Sequence, residues 1–341
     1  MQRAISKLAF AAALLAHASS GAFAQAADPV ADFYRGKTIT GLIGTVVGGE
    51  YDLHTRLTLR FIGKHIPGNP TIVAQNMAGG GGIIMANYLY NVPPKDGAYI
   101  GVLNNGYALA QAFGDAQLKI DTAKFFWLGT IAPTIEVMTT WHTTGVKTIE
   151  EAKRTEVVIG ATGKGSIIYN FPKMINELIG TKFKIVLGYR GGNDVNVAME
   201  RGEVGGRDNT WSSWKSTKPH WLAEKKINIL VQGGPTAKDL PNVPNVEDLA
   251  RSEDDRRIMQ LIVSGSHLGR PLVTTPGVPA DRVKALRDAF AATMKDPEFL
   301  AAAAQAKVEV TPILGHELQA YVERTLSTPK PLIERARKIV E

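Results

Sequence analysis

The fold is decided by residues 41–82, whose sequence is GLIGTVVGGEYDLHTRLTLRFIGKHIPGNPTIVAQNMAGGGG. A β-branched run, Thr38–Ile43, predicts a short strand that ends in the glycine loop Gly44–Gly49. An amphipathic helix is predicted from Tyr51, with apolar residues four apart on one face, Leu53, Leu57 and Phe61. The segment therefore begins as strand, glycine loop and helix.

The same order repeats immediately. Pro67–Pro70 ends the first helix, and Thr71–Gln75 predicts a second strand. A second glycine loop, Met77–Gly82, then opens an apolar run at Ile83. Two glycine loops at helix N-termini present unpaired backbone N–H groups at the positive end of a helix dipole, an arrangement that attracts anions.

Three further loops follow predicted strands along the chain. They are Asn104–Gly106, Thr162–Ser166 and Tyr189–Gly192. Strands that alternate with helices predict an α/β protein with mostly parallel sheets, and such sheets bind ligands beyond the carboxyl ends of their strands. For any single loop, a tight turn is the simpler explanation, but the series favours a binding cleft.

The N-terminus predicts a signal peptide. Arg3 and Lys7 precede the apolar run Leu8–Ala16, and Ala22–Ala24 supplies a small-x-small cleavage site. The apolar run is too short to anchor the chain in a bilayer. We therefore expect residues 1–26 to be removed near Ala24 or Ala26, leaving a free periplasmic protein.

Composition narrows the class of protein. The chain has 341 residues and suits two domains, and its net charge of +7 includes no lysine- or arginine-rich run, so nucleic-acid binding has little support. It has no cysteine, so an exported protein of this sequence has no disulfide framework and depends on core burial.

Catalytic motifs are missing. The chain has seven scattered histidines and neither a HExxH zinc motif nor a GxSxG elbow. Lys164 is followed by Gly165 instead of the Ser or Thr of a phosphate-binding P-loop, and Ile84 replaces the third glycine of a dinucleotide fingerprint. No catalytic residue, metal ligand or cofactor is predicted, although an active site without a known motif remains open.

An ordered set of short motifs resembles one family. It comprises Lys37–Thr40, Gly48-Gly49 before Asp52, Val73–Gly82, Pro94–Gly97, Tyr189–Gly192, Gly202–Val204 before Asp208, and Leu240–Pro244 before Val246-Glu247. These motifs look like those of the receptors of tripartite tricarboxylate transporters, also called Bug proteins. The resemblance covers nearly the whole mature chain.

The resemblance implies a two-lobed, type II periplasmic binding protein of the Venus-flytrap kind. Its lobes would comprise residues 27–138 plus 261–341 (lobe 1) and residues 139–260 (lobe 2), with the chain crossing near Val137–His142 and returning near Gln260–Val263. It would be a monomer that captures a small organic carboxylate and delivers it to an inner-membrane permease of two integral components.

The resemblance also implies a site. In the family the first two glycine loops hold a carboxylate through backbone amides and ordered waters, and lobe 2 contacts the distal end of the ligand. Carried over to this chain, the ligand-binding residues are Thr45, Gly48, Gly49, Tyr51, Asp52, Ala78, Gly79, Gly80, Gly81, Asn104, Thr162, Ser166, Tyr189, Arg190 and Asp208.

Several residues depart from the family pattern or allow two interpretations. Glu50 stands where the family has a small residue; it either faces solvent or indicates a less anionic ligand. Arg190 replaces the usual lysine and offers a bidentate fork for a carboxylate. Arg207 could do the same or form a surface ion pair. Asp52 is better explained as a helix-start residue, and the Trp211–Trp214 pair by packing than by stacking on an aromatic ligand.

Two other functions stay open on sequence alone. One is a secreted two-lobed enzyme acting on a small carboxylate. The other is a sensor whose loaded form engages a signalling partner instead of a permease.

Overall fold

The structure, a computed structural model, describes residues 28–341 except Val46, Gly49, Gly165 and Arg190. The predicted signal peptide and two of the predicted ligand-binding residues, Gly49 and Arg190, lie outside the described residues.

The strands are numbered in chain order. They are β1 Thr38–Ile43, β2 Thr71–Asn76, β3 Tyr99–Val102, β4 Phe126–Thr130, β5 Glu136–Trp141, β6 Val157–Gly160, β7 Phe183–Val186, β8 Gly206–Thr210, β9 Ile227–Gly233, β10 Leu272–Thr274 and β11 Ile313–Leu314.

The helices are numbered in the same way. They are α1 Pro29–Tyr34, α2 Glu50–Ile62, α3 Ile83–Asn91, α4 Tyr107–Ala112, α5 Ile149–Ala152, α6 Ile167–Ile179, α7 Gly192–Glu200, α8 Trp211–Thr217, α9 Pro219–Ala223, α10 Glu253–Ile262, α11 Ser264–Leu268, α12 Ala280–Thr293, α13 Pro297–Gln305, α14 Gly315–Leu326 and α15 Lys330–Val340. Single turns of 3-10 helix lie at Gly63–His65, Gly80–Gly82, Thr122–Lys124, His142–Thr144 and Val246–Leu249.

A six-stranded sheet forms the first lobe, in the order β11-β4-β10-β3-β1-β2. Strand β1 is parallel to both β2 and β3, so the loops after these three strands meet at one edge of the sheet. Strand β10 runs antiparallel to β3 and β4, and β11 runs antiparallel to β4. We call the elements packed on this sheet lobe 1.

The second lobe has a three-stranded sheet, β8-β5-β9, and a parallel pair, β6-β7. In the three-stranded sheet β5 is antiparallel to both neighbours. The two-lobed α/β class is thus confirmed. Among the described strands, parallel ladders join β1 to β2 and β3, and β6 to β7, whereas β5 and β10, next to the interlobe crossovers, run against their neighbours.

The chain changes lobes between β4 and β5 and returns before β10. It leaves the six-stranded sheet after Thr130, enters the three-stranded sheet at Glu136 and rejoins the first sheet at Leu272. The sequence predicts the first crossover later in the chain, near Val137–His142, and the return earlier, near Gln260–Val263. No local pattern separates a strand that ends one sheet from one that begins the next.

Local capping and periodicity predicted several helices correctly. The sequence Thr148-Ile149-Glu150-Glu151 predicts a capping box, which Thr148 and Glu151 form at the start of α5. The spacing of Val283, Leu286 and Phe290 predicts an amphipathic helix after Pro279, and α12 buries these three residues on one face. In α2, by contrast, Leu53 is exposed, and the buried face includes the threonines Thr55 and Thr58 beside Leu59 and Ile62.

Two predictions of extended structure are wrong. The apolar sequence 261–275 predicts extended structure, but the end of α10 and all of α11 occupy seven of its fifteen residues and only Leu272–Thr274 is a strand. Leu261, Ile262 and Leu268 are buried within these helices, and this packing overrides the β propensity of the run. The run Val308–Val310 predicts a strand that does not form, and Ile313–Leu314 pairs with β4 instead.

The last helix packs on lobe 2. Leu332, Ala336 and Val340 of α15 belong to the same buried cluster as Phe171 of α6 and Ile258 of α10. The sequence assigned residues 261–341 to lobe 1, and α12, α13 and α14 do pack there. The chain therefore crosses back to lobe 2 after α14.

No helix in the described part of the chain combines the length and apolar character needed to cross a membrane.

Candidate functional site

Asp52 ties the first two loops of lobe 1 together. Its carboxylate accepts hydrogen bonds from the amide of Gly48 (2.9 Å), Nε of Arg56 (2.9 Å) and Nδ2 of Asn76 (2.8 Å). The same Nδ2 atom donates to the carbonyl of Thr45 at 2.8 Å. Burial raises the pKa of Asp52, but these hydrogen bonds outweigh it and hold the pKa below its ordinary value. The carboxylate is thus occupied within the protein, in keeping with a helix-start role.

The second glycine loop has a backbone that only glycine adopts readily. Gly79, Gly80, Gly81 and Gly82 have φ angles of 136°, 55°, 64° and 93°. The Tyr107 hydroxyl donates to the carbonyl of Gly81 at 2.9 Å and secures the loop to α4. The first and second loops touch, because a Cβ on Gly44 would lie 3.0 Å from Cα of Gly82.

These loops form an accessible face on lobe 1. Gly48, Ala78, Gly80 and Gly81 are exposed, and Gly79 is half-buried. The Thr45 hydroxyl oxygen is buried and has no hydrogen-bond partner among the described residues. The loops thus present an exposed glycine backbone on lobe 1, with an unsatisfied hydroxyl buried beneath it, which suits an anionic or hydrogen-bonding ligand.

A cavity of about 700 Å³ lies where the two lobes meet. Its wall combines the loop before α4, the first residue of β5, the N-terminal turn of α6, the return crossover and the end of α15. The lining residues are Asn104, Asn105, Gly106, Leu109, Ala110, Phe113, Gly114, Asp115, Glu136, Lys164, Ser166, Ile167, Ile168, Asn170, Ile262, Gly265, Ser266, Arg337, Val340 and Glu341. Its size falls within the usual range for small-molecule sites.

The N-terminus of the 13-residue helix α6 opens onto this cavity. Ser166 precedes the helix, but its hydroxyl donates to the carbonyl of Gly163 at 2.7 Å and does not cap a helix amide. Thr162 donates to that hydroxyl at 3.0 Å. The first turn of α6 therefore directs uncapped amides and the positive end of its dipole toward the cavity.

Tyr51 links the glycine loops to the cavity wall. Its hydroxyl oxygen accepts a hydrogen bond from the amide of Asn105 at 3.3 Å, and burial raises its pKa above the ordinary value. The neighbouring Asn104 uses Oδ1 to accept from the amide of Gly106 at 2.8 Å. The loops after β1 and β3 thus act as one surface.

Glu50 is neutralised within the protein. Its Oε2 lies 2.5 Å from NH2 of Arg270, whose side chain is only 7% exposed. The charge that conflicted with anion binding is therefore paired with a buried arginine from the return crossover. The pair joins lobe 1 to that crossover.

Arg207 has a structural role that neither sequence interpretation anticipated. Its guanidinium donates to the carbonyl of Gly192 (2.5 Å), Oδ1 of Asn196 (3.0 Å) and Oδ1 of Asn209 (3.0 Å), and it lies over the ring of Trp214. It is 3% exposed, and burial lowers its pKa to about 10. It is thus neither a surface ion pair nor a free fork for a ligand.

Glu136 and Asp208 form a buried carboxyl pair beside the cavity. Burial, together with the charge of the other carboxyl group, raises the pKa of Asp208 well above its ordinary value. Burial raises the pKa of Glu136 to about 7, partly offset by the charge of Arg270. Neither oxygen of Asp208 has a well-formed hydrogen bond to a donor of the described residues. Burial and the mutual repulsion of the two carboxylates thus favour a protonated form of the pair over two buried negative charges.

The predicted residues divide into three groups. Asn104 and Ser166 line the cavity, with Thr162 behind Ser166. Thr45, Gly48 and Ala78–Gly81 lie in the lobe 1 loops with Asp52 buried beneath them, and Tyr51 bridges the loops to the cavity. Asp208 is fully buried, and Tyr189 is half-buried, with its ring 3.1 Å from a Cβ built on Gly160. The tryptophans Trp211 and Trp214 pack in the core of lobe 2.

Sequence reasoning missed four residues of this region, Asn105, Glu136, Asn170 and Arg270. A sequence signal for Glu136 exists, because it is the only charged residue in Ile135–Trp141, a run whose composition predicts extended structure. A carboxyl group in such a strand is expensive to bury and suggests a functional position. Arg270 and Asn170 lie in segments with no local pattern that marks them.

The two-lobed fold is similar to that of solved periplasmic solute-binding proteins. A TctC solute binding protein from Polaromonas matches with a TM-score of 0.68 at 18% identity, over 89% of this chain and 99% of its own. The periplasmic binding protein BugD matches with a TM-score of 0.62 at 17% identity, over 90% of this chain and 99% of its own. An R. palustris protein solved with adipate gives 0.62 at 18% identity, over 89% of this chain and 97% of its own.

No protein-family model and no curated protein sequence matches the chain. The likeness to the solved structures establishes the fold over nearly the whole described length.

Proposed function

We propose that this protein is a periplasmic receptor of the tripartite tricarboxylate transporter type, which captures a small organic carboxylate between its lobes without turning it over. One observation carries the proposal: a cavity of about 700 Å³ is lined from both lobes and receives the uncapped N-terminus of α6. A helix N-terminus in such a cavity stabilises a carboxylate through its amides and dipole.

The glycine loops of lobe 1 provide the second contact. Their exposed backbone lies next to the cavity wall, to which the Tyr51–Asn105 hydrogen bond links the first of these loops and α2. A ligand held at both places would draw the lobes together by a hinge motion. The adipate in the R. palustris structure supports a carboxylate as the ligand.

Location and partner follow from the same proposal. The predicted signal peptide and the likeness to BugD, a periplasmic binding protein, support the periplasm. The loaded receptor would deliver its ligand to an inner-membrane permease of two integral components.

Thermal unfolding against a panel of carboxylates tests the function. A ligand present at a hundredfold over its Kd stabilises the folded protein by about 2.7 kcal/mol, which raises the Tm by about 4 °C for a chain of this size. No shift with any mono-, di-, tri- or aromatic carboxylate would refute carboxylate binding. Chemical turnover of a bound member would favour the enzyme alternative.

Arg190 offers a sharper test of the lobe 2 contact. If it pairs with the ligand carboxylate, Arg190→Ala weakens binding by about 1.5–3 kcal/mol. Arg201→Ala is a matched control, because that arginine is 69% exposed in a surface pair with Glu203. Equal affinities for the two variants would remove Arg190 from the site.

A further inference from the structure

The cavity has an acidic group on its wall. Glu136 is 3% exposed, begins strand β5 and lines the interlobe cavity. A carboxylate is an unusual side chain to line the binding cavity of an anion receptor, because like charges repel strongly where water is excluded.

The neighbouring basic side chains of the described residues make their ion pairs and hydrogen bonds with groups other than the Glu136 carboxylate. Arg270 forms an ion pair with Glu50 through its NH2 nitrogen. Arg207 donates hydrogen bonds to Gly192, Asn196 and Asn209. Asp208 is a second buried carboxyl group and brings no positive charge to Glu136. A carboxylate accepts several hydrogen bonds, so Glu136 retains acceptor capacity on the cavity side.

A second polar group on the wall is incompletely paired. Asn170 of α6 is 4% exposed and lines the cavity, and its Oδ1 has no hydrogen-bond partner among the described residues. Leu109, Phe113 and Ile262 supply apolar surface around it. An apolar body with a hydrogen-bond-donating end satisfies these groups better than a second anion does.

The remaining charged groups on the wall have other partners or are exposed. Lys164 is exposed, and its Nζ donates to the main-chain oxygen of Glu341. Arg337 pairs with the side chain of Glu341 at 3.4 Å, and Asp115 is exposed. The buried acidic charge of this cavity therefore belongs to Glu136.

We propose that Glu136 determines the specificity of this cavity and selects a monocarboxylate whose far end donates a hydrogen bond, as a hydroxyl, ammonium or amide N–H group does, over a dicarboxylate. The inference rests on the proposed function, which supplies the site for the first carboxylate. It also predicts the direction in which ligand affinity changes with pH. Deprotonation of Glu136, in the field of Glu50, Arg207, Asp208 and Arg270, strengthens binding of the donor and weakens binding of a dicarboxylate.

Matched ligand sets test the selection by calorimetric titration of the full mature chain. Each set holds the terminal dicarboxylate, the ω-hydroxy acid, the ω-amino acid and the plain acid, at four, six and eight carbons, with an aromatic set added. At pH 8.5 the hydroxy or amino member of a binding set should bind at least tenfold more tightly than the dicarboxylate. At pH 5.5 the ratio should shrink at least threefold.

Glu136→Gln provides the variant. Its amide keeps the size of the side chain and can donate to a carboxylate, so the dicarboxylate should gain at least fivefold relative to the amino member. Glu334→Gln, on the exposed side of α15, should leave the ratio unchanged. The wild-type pH series gives the same information even if Glu136→Gln folds poorly.

The experiment distinguishes failure of the proposed selectivity from failure of the proposed carboxylate binding. A dicarboxylate that binds most tightly at pH 8.5, or a ratio that Glu136→Gln does not move, overturns the selection while carboxylate binding stands. Absence of binding by every member overturns both the function and the selection.

Discussion

The buried carboxyl pair predicts an unusual pH dependence of stability. Glu136 has an ordinary pKa of 4.5 that burial raises to about 7 in the folded protein. The folded state therefore holds this proton more tightly than the unfolded state does. Its contribution to stability is fully present below pH 4.5 and is lost as the pH rises through about 7.

The size of the effect follows from the two pKa values. A rise from 4.5 to about 7 corresponds to about 3 kcal/mol of stability lost between pH 4.5 and pH 8. Glu136→Gln cannot titrate, so it should gain about 3 kcal/mol on the wild type over this range. With an unfolding entropy of about 2 cal/mol/K per residue, the gain corresponds to about 5 °C in Tm.

Calorimetric scans of the mature chain without ligand, from pH 4.5 to pH 8.5, measure the effect. The quantity of interest is the difference in Tm between Glu136→Gln and the wild type. Carboxylates with lowered pKa values, such as Asp52, are common to both proteins and cancel. Glu334→Gln controls for the loss of one carboxylate on the surface.

A difference in Tm between Glu136→Gln and the wild type that does not change with pH would refute the reasoning. If the Tm curves of Glu136→Gln and the wild type stay parallel within about 1 °C, Glu136 does not hold its proton above its ordinary range. The buried-pair argument then fails, whatever ligand the protein binds.

Three substitutions test the framework of the site by urea unfolding. Asp52→Ala removes a carboxylate that accepts three hydrogen bonds and should cost about 2–4 kcal/mol, with weaker ligand binding because the glycine loops lose their tie. Gly129→Ala places a Cβ 2.1 Å from the ring of Phe290 at a φ of 153° and should cost 3 kcal/mol or more, or prevent folding. Leu332→Ala empties a buried position of α15 in lobe 2 and should cost about 2–4 kcal/mol.

Each substitution has a control of the same type at a less constrained position. Asp32→Ala removes an exposed ion pair and should cost below about 0.5 kcal/mol. Gly36→Ala meets no atom within 4 Å and should cost about 1 kcal/mol through its positive φ alone. Leu300→Ala, at a residue 40% exposed, should cost below about 1 kcal/mol. Equal costs within any pair would contradict the corresponding contact.

Local sequence determined much of this protein. The β-branched run before Gly44, the glycines with positive φ at 79–82, the capping box at Thr148 and the helix after Pro279 all depend on neighbours in the chain. Their order along the chain also indicated the α/β class. The glycine loops and Ser166 of the candidate site were predictable for this reason.

Tertiary structure alone decided the charges of the site and the placement of the last helix. Glu50 pairs with Arg270, and Glu136 lies beside Asp208, only after segments far apart in sequence come together in the fold. An amphipathic pattern shows that α15 buries one face, but it does not say which lobe covers that face. Pairing and burial at long range depend on the packed arrangement of both lobes, which no local pattern of residues encodes.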